Sequence, residues 1–286
     1  MKVVFFGSSR YVSPLLNMLH NSVDLPLVVT TEQGSQEPVT FFCKAKKINY
    51  ISVQKSAEMI GNLEIQSTGA TLGVVADFGV IIPQEVIDFF EKGIINVHPS
   101  LLPKYRGPTP AQSAILNGEE TTGVSIIEID KYMDHGPIIA QAEAKIDPND
   151  TARSLYEKLF KLGTPLLQEV VNQYEAGIVK KTPQDHTQAT FTKLLTRDDG
   201  FLELSFIVSD SDFLNKMVRA YYPWPGVWTR SKLNEEDEKI IKFMPEKQIQ
   251  VEGKRETGYK DFINGYPNAD ITLLDFLRKE VNEKSG

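Results

Sequence analysis

The chain is poor in cysteine, in long apolar runs and in positive charge, and each shortage removes a class of function. A single cysteine, Cys43, in 286 residues excludes an internal disulfide and any multi-cysteine metal site, and suits a reducing compartment. No apolar run approaches the ~20 residues of a membrane helix, and the opening Val3-Val4-Phe5-Phe6 is too short for the apolar part of a secretion signal. A soluble, cytoplasmic protein is the expectation. Lys and Arg number 31 against 38 Asp and Glu, a formal charge of −7, which argues against nucleic-acid binding by a general basic stripe. Contact with a nucleic acid would have to be local. After Phe6-Gly7-Ser8-Ser9 there is no G-x-G-x-x-G and no phosphate-loop lysine, so this stretch reads as a tight strand-to-helix turn and no dinucleotide role is expected. His20, His135 and His186 have no second ligand at metal spacing and read as surface or turn residues, with His135 bordering the site described below. No internal repeat is found, and no feature calls for an obligate protein partner.

Strand and helix patterns alternate in the first part of the chain. Residues 2–6, 25–31, 50–53 and 72–76 are short apolar runs of strand type. Residues 11–20 and 39–47 show helical spacing between them. The alternation predicts an α/β unit, Rossmann-like, with a mostly parallel sheet covered by helices and ligands bound beyond the carboxyl ends of its strands. Residues 93–97 supply a further strand, 110–117 a helix, and 123–128 and 137–144 two more strands. A long helix follows over 151–176 with Thr151 as N-cap and Gly177 as its stop. The boundaries drawn are 1–178 for the catalytic domain, 179–190 for a polar linker containing Pro183, and 191–286 for a small β-rich domain. In that last part strands are expected at 201–206, 227–230, 239–243 and 248–252, helices at 213–220 and 272–281, and an exposed acidic turn at 234–238. Most of the negative charge precedes residue 178. Cys43 reads as core, and Trp224 and Trp228 as buried in the small domain.

The stretch 96–107, Asn-Val-His-Pro-Ser-Leu-Leu-Pro-Lys-Tyr-Arg-Gly, carries the chemistry. Alternation at a strand end puts Asn96 and His98 on one face and turns Val97 the other way. Pro99 and Pro103 fix two φ angles and remove two N–H donors, so the chain must leave the sheet as a stiff loop. A second polar loop, 130–136, contains Asp134. An Asn, a His and an Asp without a metal cluster or a Ser beside a base suit acyl transfer to an amine. Asn96 and His98 can donate to the oxygen of a formyl group under attack, and Asp134 can orient His98 and take up the proton shed by the amine. The same residues could instead cap a strand end and close an Asx-turn, and spacing alone leaves both readings open.

Asn96-Val97-His98-Pro99-Ser100-Leu101-Leu102-Pro103, Tyr105-Arg106-Gly107, Thr122-Gly123-Val124 and Asp134-x-Gly136-Pro137-Ile138 together resemble the 10-formyltetrahydrofolate-dependent formyltransferases. The resemblance implies that Asn96, His98 and Asp134 are catalytic. It further implies that the formyl donor 10-formyltetrahydrofolate lies along Ser100, Leu101, Leu102 and Pro103 and against the main chain of Val80, Ile81, Ile82 and the loop from Asp130, with no metal required. Phe191-Thr192-Lys193, Arg197-Asp198-Asp199-Gly200, Pro223-Trp224-Pro225-Gly226 and Val251-Glu252-Gly253-Lys254-Arg255 look most like the branch acting on methionyl-initiator tRNA, and imply an OB-like second domain. Two features depart from that branch. Residues 30–39 are short and lack the basic residues of its tRNA-contacting insertion, and the barrel is abbreviated between 243 and 251. Lys193, Arg197, Lys254 and Arg255 then stand as the candidate tRNA contacts. Sugar-nucleotide N-formyltransferases share the same catalytic loop and remain the alternative.

Overall fold

The computed structural model describes residues 1–32, 34, 37–234 and 238–282. They gather into two compact units: Met1–Pro110 with Thr121–Lys145 and Tyr156–Lys193, and Ala111–Glu120 with Ile146–Leu155 and the chain from Leu194 onward.

The first unit is built on seven strands, β1 (Lys2–Gly7), β2 (Asp24–Thr30), β3 (Tyr50–Ser52), β4 (Leu72–Ala76), β5 (Ile94–His98), β6 (Thr121–Glu128) and β7 (Ile138–Lys145), in the order β3-β2-β1-β4-β5-β6-β7. The first five are parallel to one another, and the β5–β6 and β6–β7 pairs are antiparallel, so the sheet is mostly parallel, as expected. The continuous apolar runs of β1 and β4 are buried on both faces, which is what a central parallel strand requires. On one face Val4, Phe6, Leu27 and Val29 pack with Met59, Ile65, Phe78 and Phe90. Phe6 meets the Phe78 and Phe90 rings edge-on at 5.7 and 6.0 Å, an arrangement that adds to the burial itself. Cys43 is fully buried, and burial, followed by the nearby Glu32, pushes its thiol up to about 12. It is core, as read from the sequence, and an inert thiol. The helix Ala152–Ala176 starts at the cap foreseen for it, with the Ser154 N–H donating to Thr151 Oγ1 at 3.2 Å. It ends at Gly177, whose φ of 70° only glycine adopts without strain.

The second unit contains an antiparallel meander of four strands, β8 (Val227–Lys232), β9 (Glu238–Met244), β10 (Gln248–Val251) and β11 (Glu256–Gly258). That is one strand fewer than the five of an OB barrel. Ile241, Phe243, Ile249 and Val251 from the sheet are buried, as are Phe262, Leu273, Leu274 and Leu277 from the helices Tyr259–Gly265 and Ile271–Asn282. Three expectations are corrected or displaced. Residues 201–206 were read as a strand, but only Phe201 bridges to Trp228 and the chain then turns into the helix Leu204–Ser209. A short apolar run fits either period, and here the fully buried Ile207 lies three residues after Leu204 on a helix face. Trp224, read as buried, is 58% exposed. The acidic turn at 234–238 falls largely outside the described residues.

Glu280 ties this unit together. Its carboxylate accepts from Ser211 Oγ at 2.5 Å and pairs with Lys247 Nζ at 2.9 Å while only 8% exposed. Burial pushes the Glu280 carboxyl up, but the hydrogen bonds from Ser211 and Lys247 and the charges of Lys247 and Lys279 outweigh it and hold the group below its ordinary 4.5. A carboxyl depressed in the folded state stabilises the fold above its unfolded value and loses that contribution as pH falls through its folded value. Glu280→Gln should therefore lower thermal stability at neutral pH and narrow the loss seen as pH falls past 4.5 and on through the depressed folded value. Melting curves across that range check it, and an unchanged pH dependence would show that Glu280 is not linked to stability.

Candidate active site

Strand β5 delivers two polar side chains in the order its alternation predicts: Val97 is buried on one side, and Asn96 and His98 share the other. The antiparallel register places His98 opposite Ser125 and Ile95 opposite Glu128. The loop 130–136 after β6 therefore starts at the opposite end of β5 from the loop 99–107; the Ile129 N–H donates to Ile94 O at 2.9 Å. The two loops meet over the face that bears Asn96 and His98. The groups of β5 and its following loop stand at the carboxyl end, as expected, and the reversed direction of β6 adds the second loop to them.

Asp134 is the meeting point. Its Oδ1 accepts from Asn96 Nδ2 at 3.1 Å, its Oδ2 accepts from the Gly107 N–H at 2.8 Å, and the same Oδ2 lies 3.6 Å from His98 Nδ1. The Asx-turn in this loop belongs to Asp130, whose Oδ1 accepts from the Tyr132 N–H at 2.8 Å. Asp134 thus keeps its carboxylate for the site. The Asp134 backbone sits at φ 48°, the left-handed region that costs an L residue on the order of 1–2 kcal/mol. The turn closes on Gly136, where a Cβ would come within 1.8 Å of the Glu128 carbonyl oxygen, so no side chain fits. His98 is 4% exposed and its Nε2 lies 3.0 Å from the Tyr105 carbonyl. A carbonyl only accepts, so Nε2 carries a proton and Nδ1 is the nitrogen turned to Asp134.

Ser100, Leu101, Leu102 and Pro103 form a loop braced from beneath. Ser125 Oγ donates to Ser100 O at 2.7 Å and accepts from the Leu102 N–H at 3.0 Å, and Gln141 Nε2 donates to Leu102 O at 2.9 Å. The Ser100 hydroxyl donates to Lys104 O at 2.7 Å. Beyond β4, Val80 and Ile82 are partly buried, Ile81 is exposed, and the Ile81 carbonyl accepts from Ser56 Oγ at 2.6 Å. Exposed apolar side chains also stand on the second loop at Tyr132 and Met133.

Sequence reasoning missed the residues that hold these loops. The stretch expected to be a linker pairs Thr182 with Ile138 through two hydrogen bonds of 2.8 Å. Its Gln184 donates through Nε2 to Asp134 O at 2.9 Å and to Gly136 O at 2.7 Å. Gln184 Oε1 accepts from Arg106 Nε and Nη2 at 3.2 and 2.6 Å. Burial holds Arg106 below the ordinary arginine value, while Asp134 and Asp130 pull it back up. His186 Nδ1 accepts from Arg106 Nη2 at 2.9 Å, and its ring stacks on His135 at 4.0 Å between centroids and 5° between planes. His135 Nδ1 in turn meets Asp130 Oδ2 at 2.7 Å. His186 is exposed and His135 lies on the second loop, as read from the sequence, and their contacts with Arg106 and Asp130 tie both to the site. A polar Ser125 in the middle of an otherwise apolar strand was a readable signal, whereas Gln184 in an aperiodic polar stretch gave none.

Of the candidate tRNA contacts, Lys193 belongs to the first unit, where its carbonyl accepts from Thr109 Oγ1 at 2.9 Å. In the second unit Arg197 and Lys254 line one groove of about 250 Å³ together with Lys242 and Gln250, and Arg255 is exposed outside that lining. Arg197 lies 5.3 Å from the Trp228 ring, whose Nε1 donates to Arg197 O at 3.1 Å.

Comparison with known proteins identifies the family. Residues 1–171 match the family model described as formyl transferase. The methionyl-tRNA formyltransferase of Roseiflexus sp. (strain RS-1) is 44% identical over 239 residues, 80% of this chain and 73% of that protein. That of Koribacter versatilis (strain Ellin345) is 33% identical over 309 residues, 94% of this chain and 97% of that one. Among solved structures, a 4-N formyltransferase from Francisella tularensis aligns with a TM-score of 0.67 at 18% identity over 86% of this chain and 98% of that one. The methionyl-tRNA formyltransferase from Clostridium thermocellum aligns with a TM-score of 0.61 at 14% identity over 90% and 98%. Those two alignments share the fold; the family model and the relatives above 30% identity establish that this chain belongs to the formyl transferase family.

Proposed function

We propose that the protein transfers a formyl group from 10-formyltetrahydrofolate to the free amino group of methionyl-initiator tRNA, with Asn96, His98 and Asp134 as catalytic residues. One observation carries the reading: a single carboxylate fixes a carboxamide at 3.1 Å and lies 3.6 Å from an imidazole, over a Rossmann-like sheet. The relatives named methionyl-tRNA formyltransferase, matched over most of both chains, support the acceptor. Residues 1–178 act as the catalytic domain, 179–190 braces its second loop from the same unit instead of linking freely, and the chain from Leu194 onward is the part that meets the tRNA.

The amine attacks the formyl carbon directly, and negative charge develops on the formyl oxygen. Asn96 has two amide hydrogens, of which Asp134 uses one; the other is available to that oxygen. Nε2–H of His98 is held by the Tyr105 carbonyl, so donation to that oxygen comes from Nδ1 and requires the ring with both nitrogens protonated, facing the Asp134 carboxylate. Donors fixed before the reaction need no reorganisation as charge appears, which is why such contacts rank high among catalytic effects. Asp134 accepts the proton leaving the amine, directly or through water; when the carbonyl re-forms, the bond from the formyl carbon to the donor nitrogen breaks and that nitrogen takes up a proton, releasing tetrahydrofolate and the formylated amine. The donor lies along Ser100, Leu101, Leu102 and Pro103, beside Val80, Ile81, Ile82 and Asp130. The fit rests on the braced loop and on the apolar surface of Ile81, Tyr132 and Met133, which a flat ring system can cover.

Asn96→Ala and His98→Ala should each lower kcat on the order of 10²-fold or more, the scale of removing one oxyanion donor, while leaving the fold intact by circular dichroism. Asp134→Asn should bind the folate donor and turn over slowly, since an amide does not take up the amine's proton. Near-normal turnover in any of the three would sink this mechanism.

The acceptor reading places tRNA phosphates on Arg197, Lys254 and Arg255, with Lys193 as a further contact. Replacing Lys254 and Arg255 together by Ala should raise KM for charged tRNA with little change in kcat, because such contacts bind ground and transition states alike. The difference should shrink as salt rises. Formylation assays over a salt series test both parts. Identical curves would remove the patch from the tRNA site, and formylation of an amino-sugar nucleotide without any of tRNA would replace the acceptor.

A further inference from the structure

Gln184 lies outside both loops that carry the catalytic side chains, yet it is the group beneath their junction. It is 6% exposed, and its partner Arg106 is 3% exposed. We propose that Gln184 is a positioning residue for formyl transfer: it sets where the Asp134 carboxylate stands by holding the main chain of the 134–136 turn, with Arg106 and His186 fixing the orientation of its amide.

The amide can sit only one way. Arg106 has donors and no acceptor, so the atom meeting Nε and Nη2 is the oxygen, and the two carbonyls of Asp134 and Gly136 then take the two hydrogens of Nε2. Every polar atom of the side chain is matched. Arg106 is fixed in turn, since His186 Nδ1 accepts from its Nη2 at 2.9 Å. Its own backbone is paired with the strap that carries Gln184, through Arg106 N to Thr190 O at 2.9 Å and Thr192 N to Arg106 O at 2.7 Å.

Asp134 needs such support because its backbone is left-handed and relaxes toward ordinary φ values unless the surroundings determine it. Its side chain is held from above by Asn96 and Gly107, and its main chain from below by Gln184. Loss of the lower hold would leave the buried carbonyl of Gly136 and the part-buried one of Asp134 without their donor and let the carboxylate drift from His98. Misplacement of a reacting group by about 1 Å costs on the order of 10²-fold in rate.

The kinetic arm of the test rests on formyl transfer as the activity; a second arm does not. Gln184→Met keeps length and removes both donors and the acceptor, and Gln184→Glu keeps an acceptor for Arg106 without donors for the carbonyls. Both should fold, lower kcat by about 10-fold or more, and leave KM for donor and acceptor within about twofold. Built into Asp134→Asn, Gln184→Met should lower kcat no further, because a residue acting through Asp134 has nothing left to position. Multiplying losses in the double variant, or a raised KM with unchanged kcat, would overturn the proposal. Independently of activity, hydrogen exchange of the Gly107 amide, whose acceptor is Asp134 Oδ2, should quicken by about 10-fold or more in Gln184→Met as the turn opens locally. Unchanged protection there would overturn it as well. A wild-type protein without formyl transfer would refute the proposed function while leaving the exchange result to decide the role of Gln184.

Discussion

The carboxylate of Asp134 is the constraint on which the rest of the site depends. One residue in a left-handed conformation receives the Asn96 amide, receives the Gly107 N–H and stands beside His98, so it joins β5, the loop that follows β5 and the loop that follows β6. Few side chains could do this. A carboxylate offers two oxygens with several acceptor directions, and the loop must turn tightly enough at Gly136 to bring it over the sheet face. The closeness of Gly136 to the Glu128 carbonyl and the hydrogen bonds from Gln184 are consequences of that tightness.

Rigidity around the site is obtained by matching main-chain groups with side chains drawn from the sheet. Ser125 and Gln141 satisfy the Ser100–Pro103 loop, and a buried carbonyl left without such a partner would cost on the order of 1–3 kcal/mol. The seven-stranded sheet supplies these partners at fixed spacing, because Ser125 and Gln141 stand directly opposite each other on the antiparallel neighbours β6 and β7. The same antiparallel pair brings the second loop in from the far end, so Asp134 joins groups that stand at and beyond the carboxyl end of β5.

The second unit offers a different physical character. Its groove gathers Arg197, Lys242 and Lys254 in a chain whose total charge is −7, so any attraction for an anion acts over a short range and is sensitive to ionic strength. Arg197 is also committed to the Trp228 ring, which holds the guanidinium at one place on the sheet.

Much of this protein was written in its sequence. The alternation of apolar runs and helical spacing determined a mostly parallel α/β sheet, because both periods follow from backbone geometry alone. Asn96 and His98 two residues apart on a strand had to share a face, and the pair of prolines had to send the chain out of the sheet. The caps of the long helix at Thr151 and Gly177 are equally local. Tertiary structure alone decided the reversed direction of β6, the helix in place of a strand after Phe201, and the exposure of Trp224, since each depends on what a segment packs against. It also decided the roles of Arg106, Gln184, His135 and His186. These residues lie up to 80 positions apart in stretches without periodicity, and their function consists of hydrogen bonds between them, which no local pattern encodes.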